Sequence, residues 1–450
     1  MAADWKAIGA ETVAQLQALI RFDTTNPPGN ELALAEYLVR TLEGEGIETR
    51  LLSPAPSRAA VVARIRGNGS KRPVMLLAHM DVVGVEREKW SCDPFAGIVR
   101  DGYLYGRGAI DDKGMLASNL MAMLVLKREV VNAGVKLDRD IVFLATADEE
   151  TGGEFGMRWL VENHRDLLDV EFAINEGGRT RIIEGGKRYL AIQTAEKISH
   201  MVTVTARGPA GHSAIPLEGN AIFRLGRALA KLSGYREPVT LTTTTRRFFG
   251  LLSGMWPDPE EGAAMSDLVT DDTERSARGA DRLSRIPVFN AVMRNGISPT
   301  KITGGVAGNV IPAEVSAVLN VRTIPGFEVA DVVARMEEHV NDPDISFSFS
   351  AHTDAAPGSD PDSAMFNAIA ESAREIDPSL TVVPYLSTGG TDSAHLRRLG
   401  VNCYGILPFP MQQSDEERMH GHDERVPVES LHFGMRLIYS AVLRVASSSV

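Results

Sequence analysis

The sequence predicts an α/β protein: a mixed sheet covered by helices on both faces, with a smaller α+β domain inserted into the larger one. Short apolar runs alternate with amphipathic helical patterns in residues 1–196 and again in 355–450, as in a sheet between two helical layers. Between them, residues 197–354 show half-exposed strand patterns in the order β-α-β-β-α-β, which is the order of a ferredoxin-like unit.

The larger domain is predicted from apolar periodicity. Its helices are expected at 10–20, 34–46, 116–127, 154–164 and 363–375. Its strands are expected at 48–52, 60–66, 73–78, 140–147 and 171–175. A hairpin is expected at 98–105 around Asp101-Gly102, a turn sequence that favours tight hairpins.

The smaller domain is predicted with strands at 199–206, 288–294, 315–322 and 345–351, and with helices at 220–232 and 328–340. A polar stretch at 235–287 is interpreted as an insertion with some helix. Its apolar residues Phe248, Phe249, Leu251, Leu252 and Trp256 have two interpretations: one wall of a substrate pocket, or the core of the insertion itself.

Composition excludes several classes of partner. The formal charge of −12 over 450 residues argues against binding to nucleic acid or to an anionic membrane surface. No apolar run approaches the roughly 20 residues needed to span a bilayer, and the first residues lack a signal-peptide pattern. Cys92 and Cys403 are expected to be reduced thiols, and the expected location is the cytoplasm.

The stretch 73–114 carries the first candidate site. Its apolar run 73–78 ends in His79-Met80-Asp81, and residues two apart in an extended segment point to the same side. The imidazole of His79 and the carboxylate of Asp81 can therefore meet, as in a metal-bound His held by an acid. A glycine-rich turn then precedes Asp111-Asp112, and its small residues allow an acidic side chain to point inward.

Three further polar clusters follow predicted strands or lie in the last loop. They are Asp148-Glu149-Glu150, Asn175-Glu176-Gly177-Gly178 and His420-Gly421-His422. Taken singly, each has an ordinary explanation: acids at a helix N-terminus, a turn, or solvated histidines. Taken together they meet where α/β sheets bind ligands, beyond the carboxyl ends of strands.

Such a crevice would hold at least five carboxylates, whose mutual repulsion calls for cations. Two histidines and several carboxylates suit zinc or a similar divalent metal, whereas calcium takes more oxygens and no imidazole. In the simplest arrangement one Asp bridges two ions, and each ion takes one His and one further carboxylate. One Glu is then left over to act as general base toward water.

These motifs resemble the co-catalytic zinc amidohydrolases and peptidases that include aminoacylase, acetylornithine deacetylase, succinyl-diaminopimelate desuccinylase, glutamate carboxypeptidase and carboxypeptidase S. The resemblance rests on His79-Met80-Asp81, on the Gly-x-Gly-x-x-Asp-x-Lys-Gly pattern at 106–114, and on the two acidic clusters after strands. It extends over nearly the whole chain.

The resemblance implies two Zn²⁺ ions per chain, with Co²⁺ or Mn²⁺ as alternatives, and a role for each residue of the crevice. One ion would be held by His79, Asp111 and Glu176, and the other by Glu150, Asp111 and His420. Glu149 would be the base and Asp81 would orient His79. A cis peptide between Asp111 and Asp112 is also implied.

The resemblance further implies that the inserted domain is a lid and dimerisation domain. His212 would reach the active site of the second subunit and stabilise the oxyanion, while Asn309 and Arg322 would grip the substrate carboxylate. Gly390 and Thr391 would belong to a substrate-binding loop. From the residues alone, these positions are equally well a turn, a surface Arg and a polar loop.

Two features depart from the family pattern. Asn175 stands where carboxypeptidase-S-like members often have Asp, and the 235–287 stretch is longer than in the desuccinylase-type members. The expected function is a two-metal hydrolase that cleaves the amide of an N-acyl amino acid with a free α-carboxylate, acting as a homodimer. The alternatives are a carboxypeptidase or dipeptidase with the same site and, from a different class, a non-catalytic metal-binding relative.

Overall fold

The computed structural model describes residues 4–350 and 356–447. It confirms the predicted fold class, with a ten-stranded mixed sheet between helical layers and a separate four-stranded antiparallel sheet. The elements that precede the smaller sheet are α1 (Trp5–Ile20), α2 (Leu32–Gly44), β1 (Glu48–Ala55), β2 (Arg58–Ile65), β3 (Val74–His79), β4 (Ile98–Arg100), β5 (Tyr103–Tyr105), α3 (Lys113–Val125), β6 (Ile141–Thr146), α4 (Met157–Asn163), β7 (Phe172–Asn175), β8 (Arg179–Ile182) and β9 (Arg188–Glu196).

The middle of the chain forms the smaller sheet and a group of helices. Its elements are β10 (Ile198–Arg207), β11 (Gly211–His212), α5 (Ala221–Gly234), α6 (Thr243–Ser253), α7 (Pro259–Leu268), α8 (Thr273–Leu283), α9 (Pro287–Met293), β12 (Gly296–Gly304), β13 (Val310–Ile311), β14 (Glu314–Thr323), α10 (Val329–Val340) and β15 (Ile345–Phe349).

The last part of the chain returns to the large sheet. Its elements are α11 (Ala364–Ile376), β16 (Thr381–Ser387), α12 (Ser393–Arg398), β17 (Asn402–Gly405), β18 (Met411–Gln412), α13 (Gln413–Glu416), β19 (Arg425–Pro427) and α14 (Val428–Ala446). The predicted hairpin is present as β4 and β5, and β19 pairs with it to make a small third sheet.

The centre of the large sheet is parallel, and this brings several strand ends together. The strand order is β1-β2-β6-β3-β7-β17-β9-β8-β18, with β16 paired to β9. Strand β3 runs parallel to both β6 and β7, and β17 runs parallel to β7. The carboxyl ends of β6, β3 and β7 therefore lie side by side at one edge, where open α/β sheets bind ligands.

The central strands are buried on both faces, which explains their continuous apolar sequences. All six residues of β3 and all six of β6 are buried. Leu76 packs into a core that includes residues of α1, α2, α3, α11 and α14. Its neighbours Met75 and Leu77 pack on the opposite face with Leu160 of α4 and Leu396 of α12, as the two-residue period of a strand requires.

The smaller sheet has the order β12-β14-β10-β15, with every neighbouring pair antiparallel. Helices α5 and α10 cover one face, because alternate residues of β10 such as Val202 and Val204 are buried against them. The intervening Met201 is 60% exposed. This is the predicted β-α-β-β-α-β order, with α6–α9 between the first helix and the second strand.

One predicted strand is wrong. Of the predicted strand 288–294, residues 288–293 belong to helix α9, which begins at Pro287, a favourable first helical position for proline. Phe289, Val292 and Met293 are buried, a spacing of three and four residues that suits a helix face. The strand of the smaller sheet comes afterwards as β12, whose residues are mostly exposed and therefore lack an apolar pattern.

The helices α6–α9 pack on the large sheet. Phe248, Phe249 and Leu252 of α6 are buried with Val383 and Tyr385 of β16. The ring centroids of Phe248 and Tyr385 are 5.7 Å apart. Of the two interpretations of these apolar residues, the structure favours the core of the insertion, shared with the sheet.

The structure also bears on the state of the two cysteines and on membrane-spanning helices. Cys92 and Cys403 are both free thiols, as predicted. Across residues 4–350 and 356–447, no helix combines the length and the apolar character that crossing a membrane demands.

Candidate metal centre

The candidate ligands come from the ends of three adjacent strands and from two loops. His79 is the last residue of β3, Glu149 and Glu150 follow β6, and Glu176 directly follows β7. Asp111 lies just before α3, in the loop that leaves β5, and His420 lies in the loop between α13 and β19. Their approach follows from the parallel pairing of β6, β3 and β7.

The structure brings these side chains into two groups that share Asp111. His79, Asp111 and Glu176 offer ligand atoms within 4.8 Å of one another, and so do Asp111, Glu150 and His420. The two oxygens of Asp111 face different imidazoles: Oδ1 lies 3.0 Å from His79 Nε2, and Oδ2 lies 3.0 Å from His420 Nε2. Among residues 4–350 and 356–447, Asp111 is the member common to both groups of candidate ligands.

The local backbone separates Asp111 from Asp112. The peptide bond between them is cis, as the resemblance implied. Asp112 is fully buried, and its Oδ2 accepts a hydrogen bond from the backbone N–H of His79 at 3.2 Å. The side chain of Asp112 therefore supports the end of β3, whereas the side chain of Asp111 belongs to both groups of candidate ligands.

Without cations, the carboxylates strain one another electrostatically. Burial, together with repulsion from Asp111, raises the pKa of Glu176 to about 8. Burial and then the charge of Glu176 raise the pKa of Glu149 well above its ordinary range. Hydrogen bonds to Asp111 and Glu150 raise the pKa of His420 to about 10.

Asp111 is held in its charged form by the two histidines. Burial opposes ionisation of Asp111, but its hydrogen bonds to His420 and His79 outweigh burial and lower its pKa. Burial likewise opposes protonation of His79, and hydrogen bonds to Asp111 and Asp81 outweigh it and raise the pKa of the imidazole. Such mutual stabilisation of charges is the usual response of ionisable groups that converge without a cation.

The donor set fits two divalent ions. Each group contains one imidazole nitrogen and two carboxylates, counting Asp111 in both, and nitrogen with oxygen is a common zinc donor set. Burial and the negative charge of neighbouring carboxylates raise the pKa values of Glu149 and Glu176, and positive charge nearby would offset both effects. Bound cations would supply that charge and restore the ionised forms.

Asp81 contacts both His79 and the turn after β6. His79 Nδ1 lies 3.0 Å from the backbone carbonyl oxygen of Asp81 and 3.5 Å from its Oδ1. The carboxylate also accepts the backbone N–H of Glu149 at 3.1 Å and that of Glu150 at 3.2 Å. A single acid therefore links the orientation of one candidate ligand to the placement of the candidate base.

Two cavities meet at Glu149. One, of about 310 Å³, is lined by both groups of candidate ligands except His79. The other, of about 320 Å³, is lined by Arg322 and by residues of α12 and its preceding loop. Glu149, Gly390 and Thr391 line both cavities, so the Glu149 carboxyl lies where a molecule in one cavity would reach the other.

The remaining predicted site residues separate into two sets. Arg322, Gly390 and Thr391 line the cavity beside Glu149. His212 and Asn309 lie instead on the ribbon of β11 and β13, where the backbone N–H of Ser213 donates to the carbonyl of Asn309 at 3.1 Å. Neither His212 nor Asn309 lines the two cavities of its own chain.

Several buried polar residues around the centre were not identified from sequence. Asp392 directly precedes α12 and accepts a hydrogen bond from Thr146 at 2.8 Å; burial raises its pKa to about 7. Asn26, Arg58 and Glu424 are also buried. The sequence offered only weak signals for them. Asn26 begins an Asn-Pro-Pro-Gly turn, and Arg58 opens a strand whose remaining residues are all apolar except Arg64.

Comparison with known proteins agrees with this geometry. A model of peptidase family M20/M25/M40 matches residues 75–444. The chain is 30% identical over 372 residues to a probable carboxypeptidase S-like 2 of Dictyostelium discoideum, covering 80% of this chain and 69% of that protein. It is 27% identical over 382 residues to the human N-fatty-acyl-amino acid synthase/hydrolase PM20D1, covering 83% and 74%, and 26% identical to human aminoacylase-1, covering 92% and 90%.

Solved structures share the fold. An M20 family metallo-carboxypeptidase of Sulfolobus solfataricus superposes with a TM-score of 0.68 at 20% identity, covering 97% of this chain and 99% of that one. The YXEP protein of Bacillus subtilis, a dinuclear metal-binding peptidase of the M20 family, superposes with a TM-score of 0.62 at 17% identity, covering 97% and 98%. The chain belongs to peptidase family M20/M25/M40 and is a metal-dependent amidohydrolase.

Proposed function

We propose that this enzyme hydrolyses the amide bond of N-acyl amino acids with a free α-carboxylate and releases the amino acid. The observation that carries the proposal is the position of Glu149. It lies between a cavity with two groups of metal-ligand side chains and a cavity lined by Arg322. A substrate anchored by its carboxylate in the second cavity would present its amide to the first.

The proposed cofactor is a pair of Zn²⁺ ions, with Co²⁺ or Mn²⁺ as substitutes. The proposed ligands are His79, Asp111 and Glu176 for one ion and Glu150, Asp111 and His420 for the other. When bound, such ions polarise a carbonyl and lower the pKa of water toward neutrality. The carboxylates and imidazoles of the two groups would hold the ions, while Glu149 stays outside both groups of ligand atoms.

The proposed role of Glu149 is proton transfer. Its carboxylate would accept a proton from the attacking water and then donate it to the nitrogen of the leaving amine. A general base works best when its pKa lies near the working pH, and burial moves the pKa of Glu149 upward in that direction. Asp81 would assist by holding the backbone N–H groups of Glu149 and Glu150.

Arg322 is the proposed anchor for the substrate carboxylate. Its Nε donates to Asn320 Oδ1 at 2.8 Å, and within residues 4–350 and 356–447 its two Nη groups have no partner. A guanidinium with free Nη groups suits bidentate recognition of a carboxylate. Gly390 and Thr391 would complete the wall of the pocket on the side of the large sheet.

The pocket favours a small acyl group or amino-acid side chain. Its volume is about 320 Å³, and among the described residues that line it Ile198 is the only large apolar side chain. A long acyl chain would need a more apolar lining. This observation also keeps a dipeptidase or carboxypeptidase as the second candidate, because a small peptide residue would fit the same space.

A homodimer is part of the proposal, with the smaller domain as the contact. His212 and Asn309 do not line the cavities of their own chain, so His212 of the partner subunit would face the developing oxyanion. Exposed apolar side chains support an interface on this domain: Ile215 is 65% exposed and Phe223 is 70% exposed. The cytoplasmic location expected from sequence stays a prediction.

The test combines metal content with release of free amine from a panel of short-chain and long-chain N-acyl amino acids, dipeptides and longer peptides. We expect about two zinc-like ions per chain and turnover of short N-acyl amino acids. Glu149→Gln should lose turnover and keep both ions, and Glu154→Gln, an exposed neighbour, should behave as wild type. Cleavage of dipeptides alone would favour the second candidate, and turnover in Glu149→Gln would refute the role of the base.

A further inference from the structure

Asn26, a buried residue of the N-terminal turn, contacts the turn that carries the residue proposed as the base. We propose that Asn26 is a positioning residue: its amide holds the turn bearing Glu149 and Glu150 against Asp81. This inference rests on the proposed function for its kinetic consequence, but the contacts themselves are independent of it. Asn26 touches neither group of candidate ligands, so its effect must pass through the residues that it binds.

The amide nitrogen of Asn26 meets three acceptors from two distant parts of the chain. Nδ2 lies 2.8 Å from Asp81 Oδ2, 2.9 Å from Asp148 Oδ1 and 3.0 Å from Thr151 Oγ1. Asn26 is only 4% exposed, and Asp81 and Asp148 are 0% and 3% exposed. Two buried carboxylates thus share one neutral donor, and without it each would lose a hydrogen bond while the two charges stayed close together.

The carboxylate of Asp81 passes this placement on to the candidate base. Its two oxygens accept the backbone N–H groups of Glu149 and Glu150, and Oδ2 is shared between Asn26 and Glu150. Rotation of the Asp81 carboxylate would therefore move the base, one candidate ligand and the contact with His79 together. Asn26 donates to Asp81 Oδ2 and, through the same nitrogen, contacts Asp148 and Thr151 of the turn, so it ties the rotation of the Asp81 carboxylate to the turn.

Asp148 needs support because its backbone is in the left-handed region, with φ of 67°, a conformation that non-glycine residues adopt at a cost. Its carboxylate is held on all sides: besides Asn26, Oδ1 accepts from Thr151 at 2.6 Å and from Arg58 at 2.9 Å, and Oδ2 accepts from the backbone N–H of Phe155 at 3.0 Å. The turn after β6 is therefore held by local bonds from Thr151 and Phe155 and by bonds from two other segments, those of Asn26 and Arg58.

The N-terminal turn reaches this site as a fixed element. Thr24 Oγ1 donates to the carbonyl of Met80 at 2.7 Å, and the backbone N–H of Asn26 donates to the carbonyl of Val82 at 2.9 Å. At its other end Glu31, fully buried, accepts a hydrogen bond from Arg58 at 2.9 Å. The N-terminal turn is thus bound alongside His79-Met80-Asp81. It contacts the turn after β6 directly through Asn26, and through Arg58, which binds both Glu31 and Asp148.

The chemistry of the site explains why the residue is asparagine. The position needs a donor for two carboxylates and room for no additional negative charge. Aspartate has the same shape, but it would add a third carboxylate and remove the donor. Alanine would remove the donor alone. The pair of substitutions therefore separates loss of the hydrogen bonds from added repulsion.

The test compares Asn26→Ala and Asn26→Asp with the same changes at Asn30, an exposed residue of the same turn. For both Asn26 variants we expect kcat to fall about 10- to 100-fold, with KM changed less than about threefold, because a residue behind the site alters the reacting geometry more than substrate binding. The Asn30 variants should match wild type. Rates are expressed per folded, metal-loaded molecule, so that loss of stability alone does not enter.

A second readout does not depend on activity. In Co²⁺-loaded protein the visible absorption reports the geometry around the ion, and the Asn26 variants should shift that band and weaken Co²⁺ binding about 10- to 100-fold. If Asn26→Ala folds poorly, Asn26→Ser, which keeps a donor, should show the same spectral shift to a smaller degree. Unchanged kcat and an unchanged cobalt spectrum in the folded variants would overturn the proposal. A wild-type enzyme that binds Co²⁺ but cleaves no substrate of the panel would refute the proposed function, and the spectral comparison would still test Asn26.

Discussion

Replacing Glu424 by Gln tests how the two loops of the metal centre are held together. Glu424 is fully buried, and its carboxylate accepts four hydrogen bonds. Oε2 accepts from Arg107 Nη1 at 2.6 Å and from the backbone N–H of Gly108 at 3.0 Å. Oε1 accepts from the backbone N–H groups of Ile110 at 2.7 Å and of Asp111 at 3.1 Å.

Arg107 extends this arrangement to the other loop. Its Nη2 donates to the carbonyl of Gly421 at 2.9 Å and to that of His420 at 3.3 Å. The buried pair of Arg107 and Glu424 therefore connects the loop that carries Asp111 with the loop that carries His420. Two of the three candidate ligands of one ion, Asp111 and His420, have backbone groups bound by this pair.

The magnitude follows from the donors that Gln cannot satisfy. The amide of Gln has one acceptor oxygen, so its NH₂ group must face either Ile110 and Asp111 or Arg107 and Gly108. Leaving two buried donors unpaired costs about 1–3 kcal/mol each, or about 2–6 kcal/mol together, and breaking a buried ion pair costs about 3–5 kcal/mol. We therefore expect a loss of about 3–5 kcal/mol in the free energy of unfolding.

The assay is urea denaturation of the metal-free protein together with a titration of metal binding. Glu424→Gln should lower the apparent free energy of unfolding by that amount and weaken metal binding about 10- to 100-fold. Glu417→Gln, an exposed change in the same loop region, should alter stability by less than about 0.5 kcal/mol. If the two variants had equal stability and equal metal affinity, the connection between the loops would have no energetic role.

Two further predictions concern charge and subunit contact. Burial and the charge of Asp111 raise the pKa of Glu176 from 4.5 to about 8, so its neutral form is favoured in the folded metal-free protein. The thermal stability of the metal-free protein should therefore fall as the pH rises from 5 to 8, and it should fall less in Glu176→Gln. A flat or opposite profile would contradict the raised pKa of Glu176. His212→Ala should lower turnover about 100-fold or more while the dimer persists. Mixing His212→Ala subunits with Glu149→Gln subunits should restore part of the activity. Mixed dimers without recovered turnover would show that His212 does not act across the interface.

His79, Glu150 and Glu176 could be placed from the sequence because each ends or follows a strand that is easy to recognise. The apolar runs before His79, Asp148 and Glu176 identify three strands, and parallel strands place their carboxyl ends at one edge of the sheet. Because these strands are buried on both faces, they are apolar throughout, and a short continuous apolar run indicates a buried strand. The sequence motif and the geometry of the sheet therefore point to the same crevice.

The supporting residues could not be predicted because their partners are far apart in sequence. Asn26 binds residues 55 and 122 positions away, and Arg107 binds Glu424 across 317 positions. A buried polar residue is recognisable only when its surroundings are known. In sequence, Asn26 is an ordinary turn residue before two prolines and Arg107 is an ordinary residue between two glycines.

The wrong prediction at 288–294 has a different cause. Seven residues are too few for periodicity to separate a strand from a helix when five of them are apolar. The proline at position 287 suits the first turn of a helix, and this signal favoured the structure observed in α9. The true strand, β12, is exposed along most of its length, so its position depends on pairing with β14 rather than on burial of its own side chains.

The packing of α6–α9 changes where substrate selectivity should be sought. These helices do not line the cavity beside Glu149; they cover β9 and β16, with Thr244 and Thr194 joined by a hydrogen bond of 3.1 Å. Strand β16 ends at Ser387, three residues before Gly390 and Thr391, which line both cavities. The insertion is therefore connected to the site through the strand that carries this loop, and we expect substitutions in the loop to alter substrate preference more than substitutions on the outer face of the helices.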